Sequence, residues 1–567
     1  MKPSLQIAQE AVLRPIAEIA TELGLREDEF ELYGRYKAKV DPGIRQRLAD
    51  RPDGREIIVT AITPTPLGEG KSVTTIGLAQ GLNRIGVRTA AVLREPSLGP
   101  VFGIKGGGAG GGYSQLQPME DINLHFTGDL HAIAAAHNLA AAFLDNHLFR
   151  DNQLGIDRPS IRWPRVVDVN DRPLRRVTIG LGDERAEREA EWHITAASEV
   201  MAILALADDL PDLRRRLGRV VVAESSSGTP ITLEDLRVAG AMAVLLRNAS
   251  RPNLVQTLEG GPAFVHAGPF ANIAHGNSSV VADRVALKLV DAVVTEAGFG
   301  SDMGFQKFVD IKCRLSGLRP AAAVIVATIR ALKMHGGVGQ VISGKPLDPA
   351  LLEENPDAVA RGCANLIRHI GIVHQHGVPA VVAINRFPTD AVSEIQVVQR
   401  LAREAGARAA VTSEAFARGG AGAEELARAT WQAATTPDES DADGFRLLYS
   451  DDVPLATKIE TIARRVYGAD GVELAPLAIA QLARYEEQGY GALPICMAKT
   501  QLSLSHDASL KGAPTGFRLP VREARLFAGA GFITAYCGDM MMMPGLPARP
   551  SGEQVDLGPG GETVGLF

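Results

Sequence analysis

The sequence predicts an α/β protein built around a mainly parallel sheet. Apolar runs of strand length alternate with helical stretches along the 567 residues, which is typical of a large α/β core. The clearest unit lies near the start: the strand EIIVTAI, a glycine loop, a helix that starts at Lys71 and the strand TAAVLRE follow one another between residues 56 and 95. This order predicts a βαβ unit of a parallel sheet.

Further apolar runs extend this core along the chain. They are RVVVAE (219–224), DAVVTEA (291–297), AAAVIVAT (321–328) and PAVVAIN (379–385). At about 150 residues per domain, the length predicts three or four domains. Pro-, Gly- and acid-rich connections at 344–357 and 435–444 indicate boundaries, so we expect domains at 1–355, 356–450 and 451–567.

Composition narrows the class of protein. Hydrophobic residues make up 46% and charged residues 22%, as in a soluble globular enzyme. The net charge is -7 and there is no long basic stripe, so we expect no nucleic-acid partner. The four cysteines form no CxxC pair and are expected to be reduced core thiols. No segment has the pattern of a signal peptide or a membrane span, which predicts a soluble, cytoplasmic protein.

The loop between the first strand and its helix has the composition of a phosphate-binding loop. It comprises Thr65, Pro66, Leu67, Gly68, Glu69, Gly70, Lys71 and Ser72. Unpaired N–H groups and the dipole at the start of a helix attract phosphate. Lys71 can reach the terminal phosphates, and the Ser72 hydroxyl can bind Mg²⁺. Thr65 stands where G-x-x-x-x-G-K-[ST] has its first glycine, and a plain turn is the alternative; the flanking strand and helix favour phosphate binding.

The next strand ends in Arg94 and Glu95, which therefore emerge at the carboxyl edge of the sheet, where open α/β folds bind ligands. A guanidinium can hold phosphate oxygens through two parallel hydrogen bonds, so Arg94 is a candidate clamp for an acyl phosphate. A surface salt bridge between the two residues is the alternative. The run Lys105–Tyr113, with six glycines, predicts either close approach of the backbone to a ligand or a mobile lid.

Histidines and amides cluster in two further segments. The first contains His125, Asp129 and His131; the second contains His266, Asn272, His275 and Asn277. Their spacing matches no zinc pattern, and hydrogen bonding to substrate or backbone is the commoner role of loop histidines.

An aromatic residue follows the strand PAVVAIN. Phe387, before Pro388, offers a flat face on which a heterocycle could stack, with core packing as the equal alternative. Asn385 and Asp390 are similar to the N-K-x-D guanine reader, but the acid lies two positions too late, which weakens a GTPase interpretation.

Many segments in one order resemble formate-tetrahydrofolate ligases over nearly the whole chain. They are TPTPLGEGKS, REPSLGPVFGIKGGGAGGGY, MEDINLHFTGD, EGGPAFVHAGPFANIAHG, VDIKCR, ATIRALKMHGG, INRFPTD, YGADGV, GAPTGF, AGAGF and MPGLP. The resemblance implies a P-loop-type domain with two smaller α/β domains around a central cleft, a homotetramer, and ATP-dependent formylation of tetrahydrofolate through formyl phosphate.

The resemblance also implies residue roles. Lys71 and Arg94 would be catalytic and bind the phosphoryl groups, Glu95 would lie in the same site near an activating monovalent cation (K⁺ or NH₄⁺), and Asp129 and Phe387 would hold and stack the pterin. Phe416 stands where the family usually has a tryptophan on the other pterin face, which predicts weaker or altered folate affinity. Asn277 replaces a usual cysteine; Leu502, Leu504 and His506 also depart from the pattern.

Two other classes share the strand, glycine loop and GK[ST] helix: a carboxylase or amide-forming ligase related to dethiobiotin synthetase, and a regulatory P-loop ATPase. Formate-dependent release of ADP would separate both from a formate ligase.

Overall fold

The computed structural model of the protein describes residues 2–103, 107–185, 187–342, 346–436 and 444–566. Its strands are β1 (Phe30–Leu32), β2 (Ala38–Val40), β3 (Arg55–Ala61), β4 (Thr89–Leu93), β5 (Gly110–Gly111), β6 (Ser114–Gln117), β7 (Arg165–Val167), β8 (Val177–Ile179), β9 (Arg188–Ala190), β10 (Trp192–Ile194), β11 (Val221–Glu224), β12 (Pro230–Thr232), β13 (Asn253–Thr257), β14 (Pro262–Val265), β15 (Ala292–Glu296), β16 (Ala322–Ala327), β17 (Ala380–Asn385), β18 (Ala409–Ser413), β19 (Gly471–Leu474), β20 (Ile495–Ala498), β21 (Arg518–Val521), β22 (Glu523–Phe527), β23 (Phe532–Tyr536), β24 (Asp556–Leu557) and β25 (Thr563–Val564).

The α-helices are α1 (Ser4–Gln9), α2 (Ile16–Glu22), α3 (Ile44–Arg47), α4 (Lys71–Arg84), α5 (Leu98–Phe102), α6 (Met119–Asn123), α7 (Asp129–Arg150), α8 (Glu199–Leu206), α9 (Leu210–Arg219), α10 (Ala239–Leu245), α11 (Val280–Leu289), α12 (Arg314–Ser316), α13 (Ile329–His335), α14 (Pro356–Gln375), α15 (Val392–Glu404), α16 (Ala415–Arg418), α17 (Glu424–Thr435), α18 (Leu455–Ile462) and α19 (Pro476–Glu487). No helix among the described residues is long and apolar enough to cross a bilayer.

A twelve-stranded sheet organises the structure in the order β1-β2-β13-β14-β4-β15-β3-β16-β17-β18, with β6 beside β13 and β5 beside β6. From β14 to β18 in that order, each strand runs parallel to its neighbour. The strands β1, β2, β6 and β13 pair antiparallel at the other edge. The predicted α/β class with a large, mainly parallel sheet is therefore confirmed.

Helices cover both faces of this sheet. Ile57 and Val59 of β3 pack in the same cluster as apolar residues of α4 and α17, whereas Ile58 packs with residues of α11, α13 and α14. Side chains alternate between the two faces of a strand. A strand that is buried on both faces must therefore be apolar throughout, which explains the uninterrupted runs in the sequence.

Most predicted strands belong to this sheet, but one does not. RVVVAE forms β11, which pairs antiparallel with β12 in a separate two-stranded sheet. Its apolar residues face a second core cluster, built on α7 to α10, so composition alone did not distinguish it from a sheet-centre strand.

The C-terminal part packs onto the main sheet through a continuous core. Ile459, Leu519 and Ile533 belong to the same cluster of buried residues as Ile58. Likewise β17 and β18 belong to the main sheet although they fall within the predicted second domain. The two domain boundaries stay a prediction, and 343–345 and 437–443 lie outside the described residues. The four cysteines are buried and free, as expected of core thiols.

Candidate active site

The candidate site lies where the parallel strands end. The loop 62–70 follows β3, Arg94 follows β4, Glu296 ends β15, Thr328 follows β16, and Asn385 ends β17. Because carboxyl ends of parallel strands meet at one edge, side chains from distant parts of the chain converge there.

Two glycines give the loop its shape. Gly68 and Gly70 both have φ of +79°, in the left-handed region that favours glycine. The N–H of Gly68 donates to the Thr65 carbonyl at 2.9 Å. Gly70 is the N-cap residue of α4 and makes no side-chain capping hydrogen bond. The positive end of the helix dipole therefore faces this loop, which favours an anion there.

Glu69 braces the loop from inside. This side chain is buried; its Oε1 accepts the N–H of Thr65 at 2.6 Å, and its Oε2 accepts the Thr328 hydroxyl. Asn385 Nδ2 donates to the Glu69 carbonyl at 3.0 Å. A Cβ on Gly70 would lie 2.4 Å from that Nδ2, so Asn385 and Gly70 fit only without a side chain at 70. The ends of β16 and β17 thus set the shape of the loop.

Thr63, at the entrance to the loop, is held by three side chains. Its N–H donates to Asn365 Oδ1 at 3.1 Å, and its hydroxyl lies 3.0 Å from His369 Nε2. Its carbonyl accepts from His335 Nε2 at 2.8 Å. Asn365 and His369 belong to α14 and His335 to α13, so the helical layer anchors the start of the loop.

Ser72 and Arg94 meet on one carboxylate. The Ser72 hydroxyl donates to Glu296 Oε2 at 2.7 Å, and Arg94 Nη2 donates to Glu296 Oε1 at 3.2 Å. Arg94 also donates through Nη1 to the Pro269 carbonyl at 3.4 Å. Lys71, the first residue of α4, is half-buried beside Ser72. The loop and the predicted acyl-phosphate clamp are therefore adjacent.

The Glu95 side chain is buried, and its carboxyl lies close enough to Asp129 for their charges to interact. Burial raises the pKa of the Glu95 carboxyl well above its usual range; Asp129 raises it further, Lys39 opposes the change and Asp168 adds to it. Asp129 itself accepts from Lys39 Nζ at 2.8 Å and from Asn253 Nδ2 at 2.8 Å. Both oxygens of Asp129 are thus engaged by buried protein donors.

Phe387 and Phe416 follow neighbouring strands. The Arg330 guanidinium lies 4.1 Å from the ring centre of half-buried Phe387, and the Phe416 side chain is 45% exposed. The two strand ends are joined where Arg386 N–H donates to the Ser413 carbonyl at 3.1 Å. Asp129 contacts Lys39 of β2 and Asn253 of β13. Phe387 and Phe416 therefore follow adjacent strands, and their joint role with Asp129 stays a prediction.

The glycine run packs against protein atoms. The Phe416 carbonyl accepts the N–H of Tyr113 at 2.9 Å, and a Cβ on Gly112 would lie 2.1 Å from that carbonyl oxygen. A Cβ on Gly107 would lie 1.7 Å from Asn123 Oδ1. These glycines are needed for contact within the chain. Lys105 and Gly106 lie outside the described residues.

Comparison with known proteins identifies the family of the chain. The sequence model of the family described as "Formate--tetrahydrofolate ligase" matches residues 2–567. The chain belongs to the formate-tetrahydrofolate ligase family. A relative of that name from Roseiflexus sp. (strain RS-1) is 59% identical over 100% of both chains. Relatives of the same name from Saccharopolyspora erythraea and Desulforamulus reducens are 55% and 54% identical over 99% of both chains.

Membership in the formate-tetrahydrofolate ligase family confirms the resemblance seen in the motifs and makes the chain a ligase. The dethiobiotin-synthetase-like enzyme and the regulatory ATPase are therefore disfavoured. One departure from the family pattern lies at the site: Asn277 Nδ2 is 3.5 Å from the carbonyl oxygen of Glu296.

The candidate histidines have different environments. His266 is fully buried; its Nδ1 lies 2.6 Å from the Ser279 hydroxyl and its Nε2 lies 2.6 Å from the Ala249 carbonyl. Burial lowers the pKa of His266 to about 4. With both nitrogens engaged, His266 supports the fold. The described residues offer no group of three or more His, Cys, Asp or Glu placed to hold a metal.

His275 is buried close to the cations of the site, and neither ring nitrogen has a hydrogen-bond partner among the described residues. Burial, reinforced by Lys312, Lys307 and Arg94, lowers the pKa of His275 well below its usual range. His125 and His131 are exposed, with ring centres 6.3 Å apart. No contact joins either to the loop 62–70 in the part of the chain that the structure describes, so their roles stay predictions.

Sequence reasoning missed Glu296, Thr328 and Thr63 with its partners. Glu296 ends the predicted strand DAVVTEA, so the rule that identified Arg94 at a strand end could also have identified it. Thr63 had no such signal, because its partners come from helices about 270 to 310 residues later.

A separate cavity of about 390 Å³ lies away from these residues. It is lined by His137, Trp163, Glu199, Tyr485, Arg525 and neighbouring residues, and none of the predicted site residues lines it.

Proposed function

We propose that the chain catalyses ATP-dependent ligation of formate to tetrahydrofolate, giving 10-formyltetrahydrofolate, ADP and phosphate through formyl phosphate. The observation that carries the proposal is the convergence of Ser72 and Arg94 on Glu296 beside the loop 65–72. A nucleotide site and an acyl-phosphate clamp share one edge of the sheet, as a two-stage ligation requires. The family membership supplies the substrates.

In the first stage, a formate oxygen attacks the γ-phosphorus of ATP and ADP leaves. Such a transfer needs positioning and charge neutralisation more than a covalent catalyst. The loop from Thr65 to Gly70 would hold the phosphates through backbone N–H groups, and Lys71 would neutralise their charge. Arg94 would hold the resulting formyl phosphate in a bidentate grip.

The donor set near the phosphates suits Mg²⁺. The cation prefers oxygen ligands, which the Ser72 hydroxyl and the Glu296 carboxylate offer within hydrogen-bonding distance of each other. When bound, Mg²⁺ supplies charge neutralisation on the nucleotide phosphates. The activating monovalent cation rests on the resemblance alone, since no described residues form a metal-binding group of three.

In the second stage, the N10 amine of tetrahydrofolate attacks the formyl carbon, phosphate leaves and the nitrogen loses its proton. Phe387 and Phe416 would stack the pterin, because they follow adjacent strands and Phe416 is exposed. As the resemblance implies, Asp129 would help to hold the pterin, and Glu95 would lie in the same site. Burial raises the pKa of the Glu95 carboxyl above its usual range, which favours the protonated form relative to an exposed glutamate.

The test is formation of 10-formyltetrahydrofolate, measured as the absorbing methenyl form after acidification. Formate, MgATP and tetrahydrofolate are omitted in turn, and wild type is compared with Lys71→Ala. Product that requires all three and is lost in the variant supports the proposal. ATP turnover that ignores formate and folate contradicts it. The resemblance further predicts a cytoplasmic homotetramer, whose subunit number light scattering would measure.

A further inference from the structure

Glu296 lies between the two halves of the candidate site. It is the last residue of β15, which lies between β3, the strand of the phosphate loop, and β4, the strand of Arg94. The residue is 5% exposed. Each of its carboxylate oxygens has a different partner: Oε2 accepts from Ser72 and Oε1 accepts from Arg94.

We propose that Glu296 is a positioning residue that couples the nucleotide half of the site to the acyl-phosphate half. This inference rests on the proposed function and deepens it. One carboxylate fixes both the hydroxyl that faces the nucleotide metal and the guanidinium that faces the acyl phosphate. The two halves are then held in one geometry before substrates bind, which lowers the reorganisation needed for transfer.

The charge and burial of Glu296 support a positioning role rather than a simple ion pair with Arg94. A buried carboxylate needs compensating donors, and Glu296 has one neutral and one cationic donor. When Mg²⁺ binds near Ser72, the carboxylate can accept from the hydration shell of the cation and keep its contact with Arg94. The backbone of Glu296 is held by the sheet, where Glu296 pairs in register with Val59 of β3. The side chain therefore acts from a rigid support.

The experiment measures binding, without formate or tetrahydrofolate. ADP is titrated by calorimetry with Mg²⁺ and with EDTA, and inorganic phosphate is then titrated in the presence of MgADP. The variants are Glu296→Gln and Glu296→Asp. The matched control is Glu424→Gln. It removes the ion pair between Glu424 and Arg84, the last residue of α4, far from the loop at the start of that helix.

In Glu296→Gln we expect the Mg²⁺-dependent gain in ADP affinity to fall by about tenfold, and phosphate affinity to fall by about tenfold, with Mg²⁺-free ADP binding within about twofold of wild type. Glu424→Gln should match wild type in all three. A Glu296→Gln protein that keeps both the Mg²⁺ gain and the phosphate affinity overturns the proposal.

If Glu296→Gln does not fold, Glu296→Asp decides. Its side chain is one methylene shorter and cannot satisfy both partners, so loss of either the Mg²⁺ gain or the phosphate affinity supports the coupling, and retention of both overturns it. Because these titrations need no formate or folate, their result is independent of whether the ligase assay succeeds.

Discussion

The ring of His335 joins the start of the loop 62–70 to the C-terminal part of the chain. Its Nδ1 accepts the N–H of Gly512 at 3.1 Å, so Nε2 carries the proton and donates to the Thr63 carbonyl at 2.8 Å. A protonated ring could not accept from Gly512. Burial lowers the pKa of His335 to about 4, with the bond to Thr63 opposing this and Lys511 adding to it.

This relationship predicts acid sensitivity. The pKa of His335 in the folded state lies below its unfolded value of about 6.5, so the neutral ring contributes its full stability above about pH 6.5 and loses it as pH falls towards 4. In His335→Gln, the decline in stability should be shallower by up to about 1.4 kcal/mol per pH unit in that window. Denaturant unfolding at several pH values measures it. The exposed His506→Gln variant should keep the wild-type decline, and an unchanged decline in His335→Gln would count against the prediction.

Gly70→Ala should abolish tight nucleotide binding. The new Cβ would lie 2.4 Å from Asn385 Nδ2 at a φ of +79°, so the loop must move. Gly68 has the same φ, but a Cβ there would have no atom within 4 Å. Gly68→Ala is therefore the control for backbone strain without a clash, and this strain should cost about 1 kcal/mol of stability. Calorimetric titration with MgADP should show a much larger loss in Gly70→Ala. Adding Asn385→Ala removes the clashing atom and should restore part of the affinity; equal losses in both glycine variants would contradict this account.

Arg94→Lys should slow catalysis by roughly 100-fold while leaving the affinity for MgADP within about twofold. Lysine keeps the charge but cannot grip the acyl phosphate through two parallel hydrogen bonds. Arg88→Lys is the matched control. Arg88 pairs with Asp291 at 2.6 Å, just before the first residues of β4 and β15, whereas Arg94 pairs with Glu296 where these two strands end. Turnover numbers from the methenyl assay provide the comparison. A kcat in Arg94→Lys similar to that of Arg88→Lys would remove Arg94 from the mechanism.

Phe416→Trp should lower the KM for tetrahydrofolate by about two- to fivefold, because an indole offers a larger stacking surface than a phenyl ring. The Phe416 side chain is 45% exposed, and only its carbonyl holds Tyr113, so the substitution leaves that hydrogen bond intact. The control is Phe143→Trp, at a partly exposed phenylalanine of α7. An unchanged or raised KM in Phe416→Trp would show that this ring does not stack the pterin.

Several features of the site follow from local sequence alone. An apolar strand, two glycines and a helix beginning at Lys71 predict a glycine turn between strand and helix, and the structure has that turn between β3 and α4. Arg94 was placed correctly at a strand end because the end of an apolar run marks the sheet edge. The sequence did not show which helical residues would contact the loop. A buried histidine such as His335 has no local pattern that distinguishes it from a histidine in a surface loop.

Local periodicity and motifs kept in one order were enough to predict the α/β class, the parallel strands, the glycine loop and the family. They could not show that Ser72 and Arg94 share Glu296, that Asn385 contacts Gly70, or that Lys39 and Asn253 hold Asp129. Strand order in a sheet is set by packing of the whole chain, so neighbours at its edge come from residues far apart in sequence.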